Sequence, residues 1–119
     1  NPPQPITPVI NLADNILLGI PASLGQIQGR VKILRTLQAV HDIDKNTILV
    51  VPYTDSGCVP VLVQAGGFIA EAGGKLSHGA IIAREYGIPA VMDVQNATYL
   101  LQDGQEVRID GYKGTVEIL

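Results

Sequence analysis

Apolar and polar residues follow short, regular patterns along most of the chain after residue 18. Apolar positions and Gly29 alternate with polar ones from Ile27 to Leu37, which predicts a strand. Short apolar runs bounded by turn residues predict buried strands over 47–52 and 67–71, and a further strand begins at Ala90. Alternation over 105–110 and 115–119, on either side of a glycine-containing turn, predicts a terminal β-hairpin.

One helix is marked at both of its ends. We predict it over 78–86, with Ser77 as N-cap, Gly87 at the left-handed C-terminal position and Pro89 as the stop. Shorter helical segments are predicted over 59–64, where Pro60 lies in the first turn, and over 95–101. The pattern therefore predicts a mixed α/β fold of six or seven short strands and two or three helices.

The first 18 residues differ in composition from the rest. Four of the first eight residues are prolines, which predicts a semi-rigid linker or hinge over 1–18. The folded domain is then expected to occupy 19–119, opening with a turn-rich segment over 19–25. A chain of 119 residues with 46% hydrophobic and 16% charged residues is sufficient for one compact core.

Charge and composition exclude several classes of partner. A net charge of −3 gives no footprint for nucleic acid, and no apolar run is long enough to cross a bilayer. Cys58 is the only cysteine, so a disulfide within the chain or a thiolate metal cluster is not expected. The segment from Asp42 to Tyr53 lacks the glycine and the glutamate of a calcium loop. We predict no metal site, no nucleic-acid or membrane partner and, in the absence of a signal peptide, a cytoplasmic location.

The candidate chemistry lies between Gly73 and Gly79. His78 stands at the predicted start of a helix, where free N–H groups and the positive end of the helix dipole favour an anion. Imidazole is well matched to reversible phosphoryl exchange near neutral pH. We predict that His78 is the catalytic residue, although a histidine that only caps a helix or lies on the surface would fit the same position. Its phosphate neighbourhood would comprise Gly73, Gly74, Lys75, Ser77 and Gly79.

Helix geometry limits which residues can orient the imidazole. Ile81 and Ile82 follow on the same helix face but carry no polar group. Glu85 lies two turns on, roughly 10 Å along the axis, which is too far for a hydrogen bond. An orienting partner must come from elsewhere, and Thr54, Asp55 or Ser77 are the candidates. Arg84 projects to another side of the helix and is expected to be a structural or interface charge.

The segment from Gly73 to Val91 closely resembles the phosphohistidine signature of phosphoenolpyruvate-utilising enzymes. These include phosphoenolpyruvate synthase, pyruvate phosphate dikinase, enzyme I of the sugar phosphotransferase system and rifampin phosphotransferase-like proteins. The segment 22–31 resembles the opening pattern of the same domain, with Leu24 where a proline is usual. Residues 110–116 resemble its closing hairpin. The resemblance covers about Gly19 to Leu119.

The resemblance implies the swivelling β/β/α mobile domain. His78 would be phosphorylated by a separate ATP-grasp-like nucleotide-binding domain, and the module would then swing to a phosphoenolpyruvate, pyruvate or other acceptor domain of the same protein. This domain would bind no cofactor, because Mg²⁺ and ATP or phosphoenolpyruvate would belong to those partner domains. The isolated chain would not turn over substrate alone.

Two departures from the family pattern bear on function. Leu76 stands where the synthases and dikinases usually carry a threonine that a regulatory kinase phosphorylates, so that regulation is not expected. Ala72 replaces an arginine common in those enzymes, which favours the branch of rifampin phosphotransferase-like and uncharacterised synthase-like proteins. Two alternatives stay open, a non-catalytic interaction or regulatory module that retains the fold and a small anion-binding domain.

Overall fold

The computed structural model describes residues 15–34, 43–52, 59–73 and 78–119. Eight strands and three helices lie within these ranges. In chain order they are β1 (Ile16–Leu18), β2 (Ile20–Ser23), β3 (Gln26–Ile33), β4 (Thr47–Val51), α1 (Val59–Leu62), β5 (Gly67–Ala70), α2 (His78–Tyr86), β6 (Ala90–Met92), α3 (Ala97–Leu100), β7 (Glu106–Asp110) and β8 (Thr115–Ile118).

The strands form one mixed sheet in the order β1-β8-β7-β3-β4-β5-β6-β2. Strands β3 to β6 are parallel to one another, and the remaining pairs are antiparallel. Only Gly19 separates β1 from β2, although these two strands form the opposite edges of the sheet. The sheet must therefore curl back on itself, and β7 accordingly contacts β6, which is not its neighbour in the strand order.

The curled sheet encloses one apolar core and presents a second core to the helices. Alternation along β4 divides its side chains between the two cores, with Ile48 and Val50 in the first and Leu49 and Val51 in the second. The first core also takes apolar residues from β7, β8 and α3, and the second takes residues from α1 and α2. This layering of strands, strands and helices confirms the predicted β/β/α arrangement.

Helix α2 packs on the sheet through small residues and ends at a glycine. Gly79, Ala80 and Ala83 are its buried positions. Gly87 follows the helix with φ of +69°, and the Ile88 N–H donates to the Ala83 carbonyl oxygen at 2.9 Å. This is the hydrogen bond of a Schellman motif, and it confirms the predicted end of the helix.

Most predicted elements are confirmed with bounds shifted by a few residues, including the hairpin of β7 and β8. The structure differs near the start of the chain. Residues 16–18, expected in the linker, form β1 and pair with β8, so the sheet begins three residues before the predicted boundary. Residues 20–23, expected to be turn-rich, form β2 and bring the strand count to eight. Linker residues 1–14, the end of the strand predicted to Leu37, the turn at 54–57 and Cys58 lie outside the described residues.

Asp110 closes the hairpin between β7 and β8. Its carboxylate accepts hydrogen bonds from the N–H groups of Tyr112 at 2.9 Å and Lys113 at 3.0 Å, and from Gln26 Nε2 at 2.8 Å. Burial alone would raise the pKa of Asp110. The hydrogen bonds from Gln26, Lys113 and Tyr112, together with the charge of Lys113, outweigh burial and lower that pKa below its ordinary value.

We expect Asp110→Asn to lower the free energy of unfolding at pH 7 by about 1 kcal/mol, because an amide is a weaker acceptor for these donors. A carboxyl with a lowered folded-state pKa stabilises the fold above its unfolded pKa, about 3.9. That contribution is lost as the pH falls through the folded pKa. The free energies of unfolding of the wild type and the variant, measured with urea, should therefore differ at pH 7 and approach each other at about pH 2.5.

The control for this measurement is Glu85→Gln, which changes an exposed carboxylate on α2. Its difference from the wild type should be small at both pH values. If the difference in free energy of unfolding between Asp110→Asn and the wild type stays constant or grows as the pH falls, the role given to the Asp110 charge is contradicted.

Candidate functional site

The candidate site lies where the parallel strands end. Strands β4, β5 and β6 are parallel neighbours, so their carboxyl ends meet at one edge of the sheet. Helix α2 begins after the segment that follows β5, which places its first turn at this edge. Ligands of open parallel sheets bind at this edge because loops and helix N-termini converge there.

His78 is the first residue of α2, and its side chain is exposed. The buried positions of the helix, Gly79, Ala80 and Ala83, lie on the opposite side of the helix axis from His78 at 100° per residue. The imidazole is therefore directed away from the core and open to an incoming group. An N-terminal turn also presents backbone N–H groups that the helix itself cannot satisfy.

The glycine segment ahead of α2 is described only at its start. Gly73 is exposed and has φ of +122°, a conformation that a residue with a side chain rarely adopts. Gly74, Lys75 and Ser77 lie outside the described residues, as do Thr54, Asp55 and Leu76. Their roles around His78 therefore stay predictions.

Backbone hydrogen bonds join the ends of β4 and β5 beyond the strands themselves. The Glu71 N–H donates to the Val51 carbonyl at 2.9 Å, and the Ala72 N–H donates to the Pro52 carbonyl at 3.2 Å. The segment that leads to His78 and the segment that leads to Thr54 and Asp55 therefore leave the sheet side by side.

The sequence did not indicate the contact that the Glu71 side chain makes at this edge of the sheet. Its Oε2 atom accepts hydrogen bonds from Thr98 Oγ1 at 2.6 Å and from the Thr98 N–H at 2.8 Å. Thr98 is in α3 and is buried, with 8% of its surface exposed. The only signal in the sequence is an acidic residue directly after a buried strand, and that signal does not name a partner 27 residues away.

Arg84 lies on a different side of α2 from His78. Its Nη1 donates to the Ala22 carbonyl oxygen at 2.9 Å and so connects α2 to β2, which confirms the structural role predicted for it. A groove of about 740 Å³ lies beside it, lined in part by Leu24, Gly87 and Tyr112. Arg84 is six residues from His78, or about 9 Å along the axis, so this groove lies towards the other end of the helix.

Two further properties of the described residues concern metal ligands and membrane-spanning helices. Among them, no group of three or more His, Cys, Asp and Glu side chains is arranged to hold a metal ion. None of their helices is both long and apolar enough to cross a membrane.

Comparison with known proteins identifies the family. Residues 43–114 match the family described as PEP-utilising enzyme, mobile domain. Rifampicin phosphotransferase of Bacillus cereus is 41% identical over 109 residues, which are 92% of this chain and 12% of that protein. Phosphoenolpyruvate synthase of Aeropyrum pernix is 41% identical over 102 residues, which are 85% of this chain and 12% of that protein.

A solved structure shows the same similarity in three dimensions. The solution structure of the Enzyme I protein nEIt matches with a TM-score of 0.56 and 27% sequence identity, over 69% of this chain and 33% of that one. This chain spans only 12% of the length of the two curated relatives named above. The family match covers more than half of the chain and contains both the glycine segment and His78. The chain belongs to the mobile-domain family of PEP-utilising enzymes.

Proposed function

We propose that this chain is the phosphoryl carrier domain of a multidomain PEP-utilising phosphotransferase and that His78 carries the phosphoryl group. One observation supports this above all others. An exposed histidine is the first residue of the helix that follows the glycine segment, at the edge where the parallel strands end. The family to which the chain belongs makes phosphoryl transfer the chemistry that this position serves best.

The proposed transfer has two steps. In the first, an unprotonated ring nitrogen of His78 attacks the phosphorus atom of the donor, an N–P bond forms, and the P–O bond to the leaving group breaks with its electron pair on the leaving oxygen. In the second, an acceptor oxygen attacks the same phosphorus, and the N–P bond breaks with its electron pair returned to the ring. The positive end of the α2 dipole stabilises the charge on the phosphoryl oxygens in both steps.

Donor and acceptor are proposed to bind to other domains of the same protein. The donor domain would be an ATP-grasp-like nucleotide-binding domain, and the acceptor domain would bind phosphoenolpyruvate, pyruvate or another acceptor such as rifampicin, after the names of the relatives. Mg²⁺ would be held with the nucleotide or phosphoenolpyruvate on those domains, where it would neutralise phosphate charge. We propose a cytoplasmic location for the whole protein.

Mapping the label in the full-length protein tests the proposal. After incubation with ATP carrying labelled β- and γ-phosphates, or with labelled phosphoenolpyruvate, we expect label that is lost in acid and retained in base, as for an N–P bond. Digestion and mass spectrometry should place the phosphoryl group on the peptide that contains His78.

Two outcomes would overturn the proposal. Label mapped to another residue would exclude His78 as the carrier. The absence of label from a protein that binds the donor would favour a non-catalytic module of the same fold.

A further inference from the structure

Glu71 joins the end of β5 to β4 and to α3, at the edge of the sheet that carries His78. Its backbone continues the pairing of β5 with β4 through the hydrogen bond to Val51. Its side chain reaches α3 through the two hydrogen bonds from Thr98. The Val94 N–H donates to the Ala70 carbonyl at 3.0 Å, so the β6–α3 connection is joined to the end of β5 as well.

The start of α3 depends on this carboxylate. Asn96, the residue before the helix, has a left-handed φ of 63° and makes no side-chain capping hydrogen bond. A helix start leaves several N–H groups without partners inside the helix. Glu71 supplies an acceptor to one of them, the N–H of Thr98, and takes the Thr98 hydroxyl on the same oxygen. The carboxylate therefore fixes the position of α3 relative to residue 71, where the chain leaves β5.

We propose that Glu71 is a positioning residue for phosphoryl transfer at His78. Only six residues separate Glu71 from His78, and they include the glycine pair Gly73-Gly74, whose backbone is permissive. Because glycine backbone is permissive, this segment can place His78 only if residue 71, where the segment begins, is itself fixed. Glu71 is fixed by its backbone hydrogen bond to Val51 and by the side-chain hydrogen bonds from Thr98. The proposal rests on the proposed function of His78 and adds to it the residue that fixes where the histidine segment leaves the sheet.

The proposal predicts a loss of rate rather than a loss of donor binding. Because the donor binds on another domain, its apparent affinity should not change when the carboxylate is removed. Misplacing a reacting group by about 1 Å lowers the rate of transfer by up to about 100-fold. For Glu71→Ala we therefore expect phosphorylation of His78 to slow by about 10- to 100-fold at saturating donor.

Two further variants separate positioning from charge and from folding. Glu71→Gln retains an oxygen that accepts from Thr98, so its rate should lie within about 3-fold of the wild type. Thr98→Val removes the hydroxyl donor but keeps the N–H, so its rate should fall between those of Glu71→Gln and Glu71→Ala. Glu106→Ala, which removes an exposed carboxylate on β7, is the control and should leave the rate unchanged.

The experiment is single-turnover labelling of the full-length protein, with the rate taken from the time course and thermal unfolding recorded for each variant. Rates are compared at a temperature well below the unfolding midpoint of every variant, so that a lower rate does not reflect a smaller folded fraction. If Glu71→Ala does not fold, the labelling rates of Thr98→Val and Glu71→Gln are compared instead. The proposal then predicts the lower rate for Thr98→Val. Equal loss in Glu71→Gln and Glu71→Ala would show that the charge, not the position, matters and would overturn the proposal.

The test also distinguishes this proposal from the one on which it rests. If the wild type is labelled at His78 and folded Glu71→Ala and Thr98→Val are labelled at the wild-type rate, only the role of Glu71 is overturned. If the wild type is not labelled at His78, both proposals are overturned.

Discussion

Replacing His78 by alanine is expected to abolish acceptor-dependent consumption of ATP or phosphoenolpyruvate by the full-length protein, with turnover reduced by at least about 10³-fold. The reduction is this large because the covalent intermediate forms on the imidazole, and no other group in the first turn of α2 replaces its nitrogen. The same change should alter the free energy of unfolding by no more than about 0.5 kcal/mol, since the side chain is exposed and lies opposite the buried face of the helix.

The second histidine of the chain supplies the matched control. His41 lies outside the described residues, and His41→Ala should retain turnover. Steady-state assays of both variants, with urea unfolding of the same preparations, separate loss of chemistry from loss of fold. Turnover by folded His78→Ala within 10-fold of the wild type would contradict a carrier role for this residue.

Gly111→Ala is expected to destabilise the chain by about 3 kcal/mol or more. A Cβ atom at residue 111 would overlap the Ser23 carbonyl oxygen, far inside van der Waals contact, and that contact is with backbone. The Gly111 N–H also donates to the Gly25 carbonyl at 2.8 Å, so the hairpin cannot move away without breaking this bond. The substitution should therefore separate the hairpin from the β2–β3 turn and lower the midpoint of urea or thermal unfolding substantially.

Gly87→Ala provides the comparison for this prediction. Nothing lies within 4 Å of a Cβ atom placed at residue 87, so the cost there is only the left-handed backbone conformation, φ +69°. That cost is about 1–2 kcal/mol. If Gly111→Ala and Gly87→Ala lower the free energy of unfolding by the same amount, the close approach at Gly111 does not limit stability.

Local patterns predicted the elements whose determinants lie close together in sequence. The end of α2 was predictable because Gly87 and Pro89 act on the turn that contains them. The hairpin was predictable because alternation over its two strands and the glycine turn between them lie within fifteen residues. The position of His78 at the start of a helix was predictable for the same reason, since its neighbours in sequence define it.

Features that depend on distant residues were not predictable in this way. The strand β1 has only three residues and follows a proline-rich segment, so its pattern could not indicate that β8, about 100 residues later, would pair with it. Residues 20–23 were predicted to be turn-rich, but they form an edge strand with an irregular register, where the missing N–H of Pro21 is tolerated. The hydrogen bonds from Thr98 to Glu71 join α3 to the end of β5, and only the folded sheet brings these two together.

The two ends of the described chain meet at one corner. Asn15 Nδ2 donates to the Ile118 carbonyl at 2.8 Å, and the Ile118 N–H donates to the Asn15 carbonyl at 2.7 Å. A pull or torque transmitted through either end therefore reaches the body at the same point. The strands between Asn15 and Ile118 therefore do not lie in the path of that force.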